Sequence, residues 1–129
     1  MKKVILIIFI SFITTSSFAQ KRTPNQNSPI NTVEEIFRCA RTGDFSQIHL
    51  LCDPLGKGDG DTKELCNIKL QDHTTKVMFR QLFKLAYSLD EEIIEKQGAK
   101  VNFRFGPKAQ QQETMHLVKR NGKWYLSSF

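Results

Sequence analysis

Along residues 31–129 the apolar positions keep two different periods, and the change falls near residue 91. Before it they recur at three and four residues, the spacing of one helix face. After it they alternate, as in a strand with one buried face. Val33, Ile36, Phe37 and Ala40 make the first stripe. Thr32 and Glu35 stand three apart at its start, as a capping box requires, and Gly43 stands where a helix stops. A second box opens at once, with Asp44 as the cap and Gln47 three later, ahead of Phe45, Ile48, Leu51 and Cys52. Two short helices meeting at a tight Gly43-Asp44 corner are expected.

The stretch DPLGKGDGD, residues 53–61, is rich in glycine, proline and aspartate and reads as a loop, with Asp61 expected to cap the segment 62–70. The longest helix is predicted over residues 74–89. Its apolar face holds Val77, Met78, Leu82, Leu85, Ala86 and Leu89, and Phe79 and Phe83 broaden it. Lys76, Arg80 and Lys84 fall on the opposite, solvated face. Beyond residue 91, Ile93 and Ile94 begin a strand. Val101, Phe103 and Phe105 then alternate with Lys100, Asn102 and Arg104 until Gly106-Pro107 breaks the run.

Asn121-Gly122 is a strong two-residue hairpin signal and joins strands over residues 114–120 and 123–129. That turn pairs Val118 with Tyr125, Leu117 with Leu126 and Lys119 with Trp124. Met115, Leu117, Trp124 and Leu126 then share the face that meets the helices, with Trp124 against the longest one. Thr114, His116, Val118, Tyr125, Ser127 and Phe129 share the other face. A two-stranded ribbon is marginal in water, so three or four strands are expected.

The first residues follow neither period. Met1-Lys2-Lys3 is basic, residues 4–13 are apolar apart from Ser11, and Ser17-Phe18-Ala19 places small residues where a signal peptidase reads. This is the pattern of a secretory signal peptide over residues 1–19, cleaved between Ala19 and Gln20. Its apolar run is about ten residues, against the roughly twenty a membrane span needs. No cysteine follows the cleavage point to carry a lipid. An exported product, periplasmic or secreted and without a membrane span, is therefore expected. Cleavage removes 19 of the 129 residues. What remains suits a flexible, proline-bearing lead-in over residues 20–30 and a single domain over residues 31–129.

Loss of Lys2 and Lys3 lowers the formal net charge of +6 by two. A basic balance raises the question of nucleic acid. Lys57, Lys63, Lys76, Arg80, Lys84, Lys100 and Arg104 are spread along the chain among acids, however, and export removes the protein from most nucleic acid. The charges read as a solvated surface. The cysteines number three, an odd count for an exported chain. Three pairings exist. Cys52 with Cys66 is favoured because it closes the glycine-rich loop, stabilising by about 3 kcal/mol and leaving Cys39 free. The alternative is three reduced thiols serving as small core residues. Asp59, Asp61 and Glu64 offer oxygen ligands, but their spacing fails the EF-hand pattern, and no metal or cofactor is expected.

A helix, a Gly-Asp corner, a second helix, a long helix and a meander ending in Leu-Val-Lys-x-x-Gly-Lys-Trp-Tyr form an ordered set. The set resembles the nuclear transport factor 2-like superfamily, the cystatin-like α+β cone, and within it the small secreted bacterial domains. The residues carrying the resemblance are Ala40, Gly43 and Asp44 at the corner, Ala99-Lys100-Val101 in a central strand, and Leu117-Val118-Lys119 with Gly122-Lys123-Trp124 in the last hairpin. It covers residues 31–129, and the loop 53–61 has no counterpart in the general pattern. The resemblance implies a curved, mainly antiparallel sheet with helices packed inside its bend. It also implies that the last strand lies within the sheet, its Trp closing the cone.

Enzymes of such a fold place an Asp, often with His or Tyr, inside the cone. Here the strands expected to line it offer no inward acid. Glu113 falls at a strand start, Asp72 and Asp90 flank the long helix, and His116 alternates with core residues and should face outward. His49 and His73 sit at helix edges. No catalytic residue is assigned. The function expected is a non-catalytic binding or assembly domain of the envelope or secretome. The alternative is a small-molecule binder with an apolar cavity lined by Phe79, Phe83, Phe103, Phe105 and Trp124, a set that a filled core would also present. An enzyme is the least supported reading. The outer sheet face, with His116, Val118, Tyr125 and Phe129, is the expected surface for a homodimer.

Overall fold

Ser28 opens the first helix four residues before the predicted cap. In the computed structural model, which describes residues 22–56 and 58–129, α1 spans Pro29–Thr42. The Ser28 hydroxyl accepts from the Asn31 N–H at 3.1 Å, and Pro29 takes the first turn, where a missing N–H costs nothing. Thr32 is thus inside the helix, and its hydroxyl donates to the Trp124 carbonyl at 3.0 Å. Glu35 does not reach back to a cap either. It is buried and accepts from Arg22 at 2.9 Å and from Arg38 at 3.1 Å. The stripe Val33, Ile36, Phe37 and Ala40 is fully buried as its spacing requires. Gly43 ends the helix at φ +72°, donating to the Cys39 carbonyl at 2.9 Å. The proposed signal peptide lies outside the described residues.

The second capping box yields no α-helix. Asp44 turns its carboxylate to the Ser46 N–H, and only a 3-10 turn forms, at Ile48–Leu51, burying Ile48 and Leu51. After the loop, the cap of α2, Gly60–Cys66, is Asp59 and not Asp61. Asp59 accepts from the Thr62 N–H at 2.8 Å and from its hydroxyl at 2.6 Å. A second 3-10 turn, Ile68–Leu70, leads to α3, His73–Phe83, capped by Asp72 on the Thr75 N–H.

The α3 helix stops six residues short of its predicted end, and its buried stripe is narrower than its aliphatics suggest. Phe79 and Phe83 are buried, whereas Val77, Met78, Leu85 and Leu89 are exposed. The reason is tertiary. Residues from Tyr87 onward find a strand partner, which satisfies backbone groups that a longer helix would have satisfied internally. Arg80 is exposed, as its place on the opposite face implies, and its guanidinium also donates to the Ala40 carbonyl near the end of α1 at 3.3 Å.

Four antiparallel strands follow in sequence order: β1, Tyr87–Glu95; β2, Gly98–Phe105; β3, Gln111–Arg120; and β4, Lys123–Ser128. The β1 strand begins before Ile93 and Ile94, which stay exposed near its tip. The last hairpin has the expected register, with Asn121 and Gly122 both at positive φ, 51° and 79°. The helices cover one face, and between the layers lie Phe37, Val101, Phe103, Met115 and Leu126. Trp124 is buried too, but its strand packs beside α1 and not beside α3.

The sheet's two edges are treated differently. The β4 edge is covered: Trp124 exchanges backbone and side-chain bonds with Gln26, and the Asp53 N–H donates to the Leu126 carbonyl at 2.8 Å. Gln26 is buried, so the ordered domain includes part of the proposed lead-in. The β1 edge is met by Glu34, which accepts from the Ser88 N–H at 3.0 Å.

A disulfide joins Cys52 to Cys66, 14 residues apart, and leaves Cys39 free and buried inside α1. Burial pushes the Cys39 thiol up to about 11, so neither access nor thiolate content favours reaction. Without reductant, native protein is expected to take no alkyl label and unfolded protein one, by intact mass. Labelling of the native state at the same rate would contradict the burial.

Arg120 grips Asp53 through two hydrogen bonds, at 2.6 and 3.0 Å, and holds its carboxyl below the usual carboxylate range. A carboxylate with a depressed folded-state value adds stability above its unfolded value near about 3.9, and loses it as the pH falls through the folded one. The capping carboxylates Asp59 and Asp72 are lowered in the same direction by their Thr partners. Between about pH 5 and pH 2, the melting temperature of the wild type is expected to fall more steeply than that of Asp53→Asn. Parallel curves would show that the pair adds nothing.

Candidate functional site

Phe83 receives aromatic rings from every side. Its centroid lies 6.0 Å from Phe37, 5.2 Å from Phe79, 6.3 Å from Phe103, 5.8 Å from Phe105 and 6.2 Å from Phe129. Phe37 and Phe103 close this cluster toward the interior, where both are wholly buried. On the other side the packing stops. A cleft of about 300 Å³ opens there between α2, the second 3-10 turn, α3 and the ends of the strands. Its apolar lining is Leu65, Ile68, Met78, Leu82 and the rings of Phe79, Phe83, Phe105 and Phe129.

This arrangement divides the predicted cavity residues. Phe79, Phe83 and Phe105 do face the cleft; Phe103 and Trp124 do not, because helix α1 and the sheet fill the space around them. Phe129 moves the other way, out of the group predicted on the outer face. The ladder pairs Leu117 with Leu126 but His116 with Ser128, so β4 carries an extra residue at this point. A bulge of this kind reverses the alternation beyond it and turns Phe129 inward against Phe83. Its backbone is held there by the Thr62 hydroxyl at 3.2 Å. Nothing in the alternation of LSSF announces the bulge.

Three carboxylates, Asp61, Glu64 and Glu113, stand at the cleft, each exposed to solvent. The sequence reading missed Glu113 as an inward acid. It pairs with Phe103 across the β2–β3 ladder and so shares the face of Met115 and Leu117, at the open end of the sheet. The alternation from Met115 backwards carried that signal. Among the described residues no basic residue lines the cleft, nor does a His, Ser or Cys. His116 is exposed on the opposite face. Among the described residues, no group of three His, Cys, Asp or Glu is placed to hold a metal ion, and Asp59 is committed to its cap.

The remaining residues of the predicted interface stay on the outer face. Val118 and Tyr125 are paired neighbours, both half-buried, and His116 lies beside them. Among the described residues no helix is long and apolar enough to cross a membrane. Comparison of the chain with protein-family models, with curated proteins and with solved structures returns no match.

Proposed function

We propose that this protein is an exported, non-catalytic binding domain of the cone type that its sequence pattern resembles, and that it holds the apolar part of a ligand in the Phe83 cleft. The observation that carries the reading is an open cleft of about 300 Å³ walled by aromatic rings, next to an interior that is filled. Its size is at the lower end of the roughly 300–1,000 Å³ typical of small-ligand sites. Binding is favoured over catalysis because the carboxylates stand in solvent and no His, Ser, Cys or Lys among the described residues lines the cleft beside them. The disulfide suits an oxidising compartment, as export would provide.

The neutral dye N-phenylnaphthylamine, which fluoresces in apolar surroundings, tests the cleft. Thr75 lines the cleft as well, so wild type is expected to bind the dye and Thr75→Trp, which places a large ring at that position, to weaken binding at least tenfold. Equal binding by both proteins would remove the cleft from the function.

Assembly is a second reading, favoured by the outer sheet face, which no described helix covers. Dimerisation there would bury Val118 and Tyr125, with His116 beside them. Light scattering of wild type and Tyr125→Glu at micromolar concentration decides it, since a monomeric wild type ends that reading.

A further inference from the structure

The chain as a whole is basic, with 19 Lys and Arg against 13 Asp and Glu, yet among the described residues every charged one that lines the cleft is an acid. Asp61 and Glu64 come from α2, and Glu113 from β3, so two separate elements bring negative charge to one mouth. None of the three carboxylate groups forms an ion pair or a side-chain hydrogen bond with another described residue. Elsewhere the buried carboxylates Glu35 and Asp53 are both matched to arginines.

We propose that the cleft is selective for a cationic amphiphile, an alkyl- or arylammonium compound whose apolar body lies against the rings while its charged head stays at the acidic mouth. This inference rests on the apolar-cleft reading and adds the sign of the ligand's charge. An ammonium head does not have to be buried, because the carboxylates are exposed, so the cost of stripping its water is small. An anionic amphiphile of the same length meets three like charges. The fit is to charge sign and to an apolar tail, with no requirement for a particular head group. The adaptable, exposed side chain of Met78 at the wall suits tails of different shape.

The proposal runs against the simplest expectation from net charge, under which a protein with a basic balance favours anions. That conflict makes it decidable. Calorimetric titration is carried out with decyltrimethylammonium and decanoate, each below the concentration at which it forms micelles, and with decanol below its solubility limit. Wild type is expected to bind the cation about tenfold more tightly than decanol, and decanoate more weakly than either. Raising the salt concentration should narrow the gap. In Glu64→Gln/Glu113→Gln, which leaves Asp61 in place, the advantage of the cation is expected to fall by more than half while decanol still binds. Because both glutamates are exposed, decanol also reports that the variant remains folded.

Binding of decanol as tight as that of the cation, preference for decanoate, or an advantage undiminished in the double variant would each overturn the charge selectivity and leave the apolar cleft standing. No binding of any of the three would overturn both.

Discussion

Phe83→Ala is expected to lower the stability of the domain by about 3–5 kcal/mol, as truncations of well-packed core aromatics do. The size of the effect follows from position. Phe83 is the residue at which α1, α3, β2 and the end of β4 meet through their rings, with Phe37 and Phe105 stacked on it at 6.0 and 5.8 Å. Removing it leaves a cavity that none of these elements can fill without moving another, because each is held elsewhere by its own backbone bonds. The companion measurement is Phe45→Ala. Phe45 is half-buried at the margin of the core, and among the described residues Phe79 is the one ring it meets, edge-on at 5.5 Å, so its loss is expected to cost less than half as much. Urea unfolding of the two variants gives the comparison. Equal costs would show that the rings act as separate apolar residues and that Phe83 is not their hub.

Removing the disulfide with Cys52→Ala/Cys66→Ala is expected to cost about 3 kcal/mol, the loop-closure term for a bridge of this span. The consequence should be greater for the cleft than for the sheet. At seven residues α2 is too short to hold together alone, yet it supplies Asp61, Glu64 and Leu65 to the cleft. Cys66, at its end, is tied by the bridge to Cys52, which itself pairs with Leu126 of β4. Dye binding should therefore weaken at urea concentrations well below those that unfold the sheet. If stability falls but the dye binds as before, the wall is ordered by Leu65 and Ile68 without help from the bridge.

Local signals were reliable where one residue type has one conformational use. Gly43 at positive φ, the Asn121-Gly122 turn and the alternation of Val101, Phe103 and Phe105 all appear in the fold as the sequence implies. So does the bridge between Cys52 and Cys66. The caps were less legible, since several candidate residues stand close together. Ser28 and Thr32 both suit a first cap, and so do Asp59 and Asp61 before α2. In each case the earlier residue is used, because the later one has other business: Thr32 bonds to Trp124, and Asp61 faces the cleft. The outer-face residues were placed correctly up to the bulge, and Phe129 lay beyond it.

The sequence by itself determined the α+β class, the order of helices before sheet, the last hairpin's register and the apolar stripe of α1. All of these depend on residue spacing and on turn chemistry within a few positions. Only the tertiary structure decided where α3 ends, which way Phe129 turns and that Phe103 and Trp124 are core while Phe105 opens to solvent. It alone joined Asp61, Glu64 and Glu113 at one mouth. These outcomes depend on pairing between distant segments: β2 claims the residues after α3, and the bulge in β4 shifts a register by one. Alternation shows that a side chain leaves the strand on a given face, but what waits there is set by elements 50 or more positions away, as Glu113 and Asp61 are.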